Sequence, residues 1–363
     1  MKFHLLDRLI EVITNFDVVA YARTRNFKNG TVSRLSPYIS RGVISTKFVL
    51  ELLMKKGLDK KKMEKFFQEL VWRDYWQKIW QKNQNLQIDL KHPQQHVKFR
   101  TIPKAIVEGK TGISAMDDCI HEFYETGYIH NHMRMYIAAV CCNVGQYHWL
   151  KPAQWMYYHL LDGDWGSNSL SWQWVAGTTR QKKYIANQEN INKYFSTRDS
   201  NSFLNKSYEE LYSFKEIPEA LRSTTSLTLK TTFPEQQRLN IDNEKDSYIF
   251  NTYNLDPLWC KNKDFNRILL LEPSHFSTYP ISEDVMSFVM EIASEIQDIQ
   301  IAIMEFDQLF ELLPAKMEIH YKEHPFTNHY KGIITERDWI FPNVDATGSF
   351  FNYWNKGIKQ FKS

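Results

Sequence analysis

Residues 162–174 read Asp-Gly-Asp-Trp-Gly-Ser-Asn-Ser-Leu-Ser-Trp-Gln-Trp and crowd acids, an amide and tryptophans into one short stretch. The run follows neither a helical nor a strand period, which predicts a loop opening into a helix. Carboxylates and indoles are costly to bury without partners. Together they suit a planar, hydrogen-bonding, redox-active ligand, for which a flavin is the obvious candidate. A tight turn carrying core indoles is the alternative reading of the same residues.

Three further groups bear chemistry. Gly30-Thr-Val-Ser-Arg-Leu-Ser-Pro37 follows the basic Arg23, Arg25 and Lys28 and precedes a predicted helix. Hydroxyls and free N–H groups at a helix start can hold phosphate, and Ser-x-x-Ser-Pro is equally an ordinary capping sequence. Glu69-Leu-Val-Trp-Arg-Asp-Tyr-Trp76 sits on a strong helix, with Trp72, Trp76 and Trp80 on one face. Such a stripe is usually core, and an ion pair between Glu69 and Arg73 is the ordinary alternative to a site. In Asn131-His-Met-Arg-Met135, Asn131 shares a helix face with Arg134 and Met135, and Arg134 can reach Asp162 across helices.

The elements that position these groups are mostly helical. Leu5, Leu9, Val12 and Ile13 form one apolar stripe and Ile44–Met54 another. Phe66, Phe67, Leu70, Val71, Tyr75 and Ile79 form a third. Pro152 marks a helix start. Residues 196–247 are rich in Ser, Thr and Asn and read as a linker. Beyond them, Arg267–Glu272 and Ile299–Phe306 suit buried strands around a Ser282–Ile296 helix capped by Ser282, one βαβ unit. Glu272-Pro-Ser-His-Phe-Ser stands where a glycine-rich phosphate turn would be, so this is not a nucleotide-binding Rossmann pattern. The expected division is a helical domain over 1–200, a linker over 201–247 and a small acidic α/β domain over 248–363.

The 363 residues allow two or three domains. Eight of the eleven tryptophans fall between Trp72 and Trp174. Residues 1–240 carry 34 Lys/Arg against 23 Asp/Glu, and residues 241–363 carry 11 against 19. A basic, tryptophan-rich part beside an acidic one points to a polyanion partner for the first part only. No apolar run reaches membrane-spanning length, and the first residues lack a secretory signal pattern. Cys119, Cys141, Cys142 and Cys260 form no CxxC pair, which fits reduced thiols in a cytoplasmic protein. His320, His324 and His329 have a metal-like look, but no metal is expected.

In order from about Tyr21 to Tyr194, these groups resemble the flavin-binding domain of the photolyase/cryptochrome family. The resemblance implies an all-helical domain binding FAD, with DNA docking over a pocket beside it. Tyr21, Thr31, Val32, Ser33, Arg34, Leu35 and Ser36 would hold the pyrophosphate, with Val32 replacing a family threonine and Thr31 beside it. Arg25 would touch DNA phosphate. Glu69 would hydrogen-bond a damaged base, Trp72 would stack on it, and Arg73 would lie near the flavin. Asn131 and Met135 would face a cyclobutane pyrimidine dimer, while His132 stands where the family has a DNA-contacting arginine.

By the same resemblance Asp162 would pair with Arg134, Gly163 and Asp164 would border the isoalloxazine, and Asn168 would face its N5. Trp174 would form the lesion-pocket wall opposite Trp72. Trp172 and Trp149 match the proximal and middle members of the family's electron-transfer chain. His96 stands near the distal position, with Tyr124 or Tyr128 as other candidates to finish the path. The family normally begins with an antenna-binding α/β domain, whereas this chain starts with the flavin domain and ends in a smaller α/β region. The implied activity is light-driven splitting of pyrimidine dimers in DNA by a monomer. A cryptochrome-like sensor without repair activity is the second reading, and a flavin-free nucleic-acid scaffold the third.

Overall fold

The computed structural model describes residues 4–362 apart from 58–59, 214, 237, 260 and 262–263. Cys260 therefore lies outside the described residues. The chain is mostly helical, with a five-stranded parallel sheet in its C-terminal part. It forms two compact units, one of Met1–Val18, Ser33–Gln84 and Lys230–Ser363, the other of Val19–Val32 and Asn85–Leu229. Contacts thus group the chain differently from the linear division into 1–200, 201–247 and 248–363.

The reason lies in the first unit. Its early helices, His4–Asn15, Thr46–Lys55 and Lys60–Lys82, share a core with the C-terminal residues. Phe66, Phe67, Leu70, Val71, Tyr75 and Ile79 are buried as their spacing predicts, whereas Val12 is 43 % exposed and leaves its stripe. Asp74 accepts hydrogen bonds from Thr46 Oγ1 at 2.7 Å and from the Ile340 N–H at 2.9 Å. Lys78 Nζ donates to the carbonyls of Phe341, Pro342 and Val344 at 2.8, 3.1 and 2.8 Å. Buried charges with such partners fasten the Trp-rich helix to residues 340–344.

The sheet of this unit contains β3 (Ser247–Phe250), β4 (Asn266–Leu270), β5 (Ile299–Ala302), β6 (Ile319–Lys322) and β7 (Ile333–Thr335). The order is β5-β4-β3-β6-β7 with every pair parallel, so the chain starts centrally and winds to both sides. The expected βαβ unit is β4, the Glu283–Ala293 helix and β5, and Ser282 Oγ caps that helix by accepting from Val285 N–H. Ile249, Ile268, Leu270, Ala302, Phe306 and Tyr330 form the core of this sheet.

The second unit holds the helices Ser114–Thr126, Asn131–Ala139, Leu150–His159, Trp165–Ala176 and Gln188–Phe195. The Asn131 helix runs into a π-helical turn at Val140–Val144. Within the stretch expected as linker, residues 208–213 are helical, and β2 (Thr224–Thr225) pairs antiparallel with β1 (Ile102–Pro103). Cys119, Cys141 and Cys142 are buried, and burial pushes all three thiols up, Cys119 to about 12. Among the described residues, no helix is long and apolar enough to cross a membrane.

Candidate functional site

In the second unit, the opening stretch 162–174 is a capped helix entry. Asp164 caps the Trp165–Ala176 helix, its carboxylate accepting from Ser167 N–H at 2.6 Å. The Gly163 N–H bonds the Leu160 carbonyl at 2.9 Å and tightens the turn before it. Arg134 Nη2 donates to both oxygens of Asp162, at 3.0 and 3.1 Å, while its Nε holds the Ile129 carbonyl. Asp162 is 7 % exposed, so this charge-assisted pair fixes the turn onto the Asn131–Ala139 helix. Asn168 Nδ2 donates to the Ala153 carbonyl at 2.8 Å, which orients the amide.

The expected electron-transfer residues are both buried. Trp149, with no exposed surface, donates Nε1–H to Asp89 Oδ1 at 2.7 Å, and its ring lies 6.5 Å from that of Trp165. Trp172 is 2 % exposed and makes no ring–ring contact among the described residues. His96 is exposed, at a positive φ of 58°. Tyr124 is half-buried, its hydroxyl donating to the Val107 carbonyl and accepting from Trp155 Nε1–H. Beside Trp149 instead stand His148 and Asp89, which the sequence reading did not select. No motif or period marks them, and only the fold brings Asp89 to Trp149.

The expected substrate residues of this unit are partly engaged from within. Asn131 is exposed and Met135 half-buried. His132 Nδ1 lies 3.1 Å from the Asn26 carbonyl, and its ring tilts onto Tyr136 at 4.4 Å and meets Tyr194 edge-on at 4.7 Å. Burial lowers its pKa. A neutral imidazole held this way is a poor stand-in for a phosphate-binding arginine. Trp174 carries the Arg180 guanidinium 3.8 Å from its ring centroid, a close cation–π contact. Arg180 Nε is buried with no hydrogen-bond partner among the described residues.

Of the residues expected to hold the pyrophosphate, Tyr21, Thr31 and Val32 belong to the second unit, as does Arg25, the expected DNA-phosphate contact. Arg25 lies 5.9 Å over the Tyr21 ring, and Thr31 N–H donates to Thr24 Oγ1 at 3.0 Å. Gly30 is required here, since a Cβ would stand 1.9 Å from the Thr24 carbonyl oxygen.

Ser33, Arg34, Leu35 and Ser36 belong to the first unit. There Leu35 is buried, its N–H 3.4 Å from Ser33 Oγ, and Arg34 is exposed at φ 53°. Ser36 opens the Ser36–Ser40 helix. The side chain of Leu35 therefore serves the core.

On the Lys60–Lys82 helix, Glu69, Trp72 and Arg73 are all half-buried. Arg73 Nη1 donates to Ser40 Oγ at 2.9 Å. Trp72 is stacked by Phe350 of the C-terminal Phe350–Lys362 helix, with centroids 3.6 Å apart and planes 7° from parallel. Trp72 and Phe350 lie far apart in the chain, so no local pattern announces their contact.

The C-terminal histidines do not converge. His324 Nδ1 accepts from Phe326 N–H, and its ring stacks on Tyr253 at 4.5 Å. His329 Nε2 meets Glu272 at 2.8 Å. Among the described residues, one cluster brings possible ligand atoms within 4.8 Å, on Asp246, Glu318 and His320. Both acids are exposed, and the His320 ring is stacked on Tyr248 at 4.3 Å.

The residues of the second unit fit a large polar cofactor. Ser167 Oγ and Ser169 Oγ flank Asn168 in sequence, and both are buried without a hydrogen-bond partner among the described residues. Leaving such groups unsatisfied costs about 1–3 kcal/mol each, which bound polar atoms would offset.

Residues 66–244 match the model of the FAD binding domain of DNA photolyase. A deoxyribodipyrimidine photo-lyase of Vibrio cholerae is 28 % identical over 44 % of this chain and 36 % of its own length. One from Buchnera aphidicola is 28 % identical over 46 % of this chain and 40 % of its own. Cryptochrome DASH of Danio rerio is 30 % identical over 44 % of this chain and 32 % of its own. The chain thus spans well under half the length of these curated relatives. Over about half of its own length, this chain is a distant homologue of the photolyases and cryptochromes and carries their FAD-binding domain.

Proposed function

We propose that the chain binds FAD and acts as a light-driven lyase that splits cyclobutane pyrimidine dimers in DNA. The observation that carries this reading is the Arg134–Asp162 pair, which fixes the turn that leads through Asp164 into the helix of Asn168 and of two hydroxyls without a hydrogen-bond partner among the described residues. Bound FAD would supply the light-driven one-electron chemistry.

The residues of the chain hold and orient. Asp162 and Asp164 shape the flavin-side turn, and Asn168 presents a fixed amide. Arg25 and neighbouring basic residues meet the DNA backbone. In the second unit, Trp174 would stack on a flipped dimer while Asn131 and Met135 face it. Illumination of the reduced, FAD-loaded protein with a dimer-containing oligonucleotide should remove dimers. Persistence of the dimers with bound flavin confirmed by absorbance would defeat the lyase reading.

A light or redox sensor without repair activity is the second reading. Phe350 on Trp72 and Arg180 on Trp174 favour it, because each cover occupies an aromatic face that a lesion would need. Purified protein with no flavin spectrum would exclude both readings in favour of a nucleic-acid scaffold.

A further inference from the structure

Trp149 is a fully buried indole bonded to a carboxylate, and this pairing bears on electron supply. Its Nε1–H donates to Asp89 Oδ1 at 2.7 Å, and its backbone N–H donates to Gln94 Oε1 at 2.9 Å. Asp89 Oδ2 in turn accepts from Gln94 N–H at 2.9 Å. The carboxylate is thereby held by the same residue that holds the tryptophan backbone. His148 Nε2 stands 3.4 Å from Asp89 Oδ1, and the Asp89 side chain keeps 22 % of its surface exposed. The network thus leads from a dry indole to a carboxylate in touch with solvent.

We propose that Asp89 is the proton acceptor that makes Trp149 the terminal electron donor of the light reaction, an inference that rests on the flavin reading above. Bound oxidised flavin would supply, under light, the oxidant that draws one electron from the tryptophan path. Trp149, having lost that electron, is a radical cation and a strong acid. Its Nε1–H bond breaks, the proton forms an O–H bond on Asp89, and a neutral tryptophan radical remains beside a carboxylic acid. Charge return then requires the proton to move back, so the separated charges last long enough for an external thiol to reduce the radical. The thiol, as its thiolate, supplies one electron and leaves as a thiyl radical, and the proton returns from Asp89 to the indole. A donor chain that ends at Trp149 needs no tryptophan near His96.

The test uses the full chain with three variants, Asp89→Asn, Asp89→Glu and Trp149→Phe. In protein without flavin, the indole N–H resonance that disappears in W149F should move in D89N. An unmoved resonance overturns the proposal by removing the bond. In flavin-loaded wild type, a laser flash should give a neutral tryptophan radical whose formation slows in heavy water. D89N should keep the radical cation, with deprotonation slower by about 100-fold or more, and D89E should restore it. Equal deprotonation in D89N and wild type overturns the proposal and leaves the light reaction standing. Absence of any tryptophan radical in flavin-loaded wild type overturns the proposal together with light-driven electron supply.

Discussion

Phe350 lies flat on Trp72, with ring centroids 3.6 Å apart and planes within 7° of parallel. Face-to-face stacking is not the arrangement that ring quadrupoles prefer, so burial rather than ring electrostatics holds the pair. Phe350 is only 3 % exposed and also meets Tyr75 edge-on at 5.8 Å. The Tyr75 hydroxyl donates to the Gly348 carbonyl at 2.7 Å, which fixes the entry to the C-terminal helix.

Replacing Phe350 by alanine should therefore uncover Trp72. Stability in denaturant titration should fall by roughly 3–5 kcal/mol, the usual cost of truncating a buried phenylalanine. Tryptophan emission should shift to the red, and F350L should show a smaller loss. Under the lyase reading, F350A also binds dimer-containing DNA more tightly than wild type; weaker or unchanged binding would count against Trp72 as the stacking face.

Lys78 is the second fastener of the same region. Replacing it with methionine keeps much of the volume but strands the carbonyls of Phe341, Pro342 and Val344. Each stranded buried carbonyl costs about 1–3 kcal/mol unless water reaches it. Limited proteolysis should cut K78M near residues 338–346 well before wild type is cut there. A proteolytic pattern identical to wild type would show that the apolar contacts alone hold the segment.

The Arg134–Asp162 pair should behave as a buried ion pair. Asp162→Asn leaves the Arg134 charge without its partner and should cost roughly 3–5 kcal/mol. Arg134→Met in the same chain should recover part of that loss, since the uncompensated charge is then gone. Flavin retention after gel filtration is the companion measurement. Under the flavin-binding reading D162N should lose the cofactor, whereas full retention would place the pair outside the binding machinery.

Asp74 makes stability depend on pH. Burial pushes its pKa up to about 6 from an ordinary 3.8, against hydrogen bonds from Thr46 and Ile340 and the charge of Arg337. An acid with a raised folded-state pKa favours the neutral form in the fold. Below 3.8 it is protonated in both states, and as pH rises from there to about 6 the unfolded chain ionises first. Its contribution therefore falls across that window, by about 2–3 kcal/mol. Measured against D74N, wild type should lose this amount between pH 4 and pH 6.5. His275, lowered to about 4 by burial, acts in the opposite sense, because the unfolded imidazole charges first as pH falls below 6.5. H275F should flatten that acid limb.

The sequence was most legible where local chemistry decided structure. Asp164 and Ser282 are caps whose side chains accept from the first helical turn, and the apolar stripe from Phe66 to Ile79 is buried at every position named. Arg134 and Asp162 were recognisable because complementary charges sat in two strong motifs. The sheet was only half visible. β4 and β5 are apolar runs, whereas β6 reads Ile-His-Tyr-Lys and takes its strand character from its parallel partners. Asp89, Arg180 and Phe350 carried no signal, since each gains its meaning from a partner brought in by the fold. Asp74 and Lys78 likewise look like surface charges until residues 340–344 arrive.

The bond from Lys78 to Val344 spans 266 residues of chain. During synthesis, the Trp-rich helix leaves the ribosome long before the strands and the C-terminal helix that complete its core exist. Its Trp72 and Phe67 faces must therefore wait uncovered while the intervening unit is made. Contacts this distant are slow to close, and the waiting apolar surface is open to aggregation and to chaperones. Expression yield should consequently depend on the speed at which roughly the last hundred residues emerge.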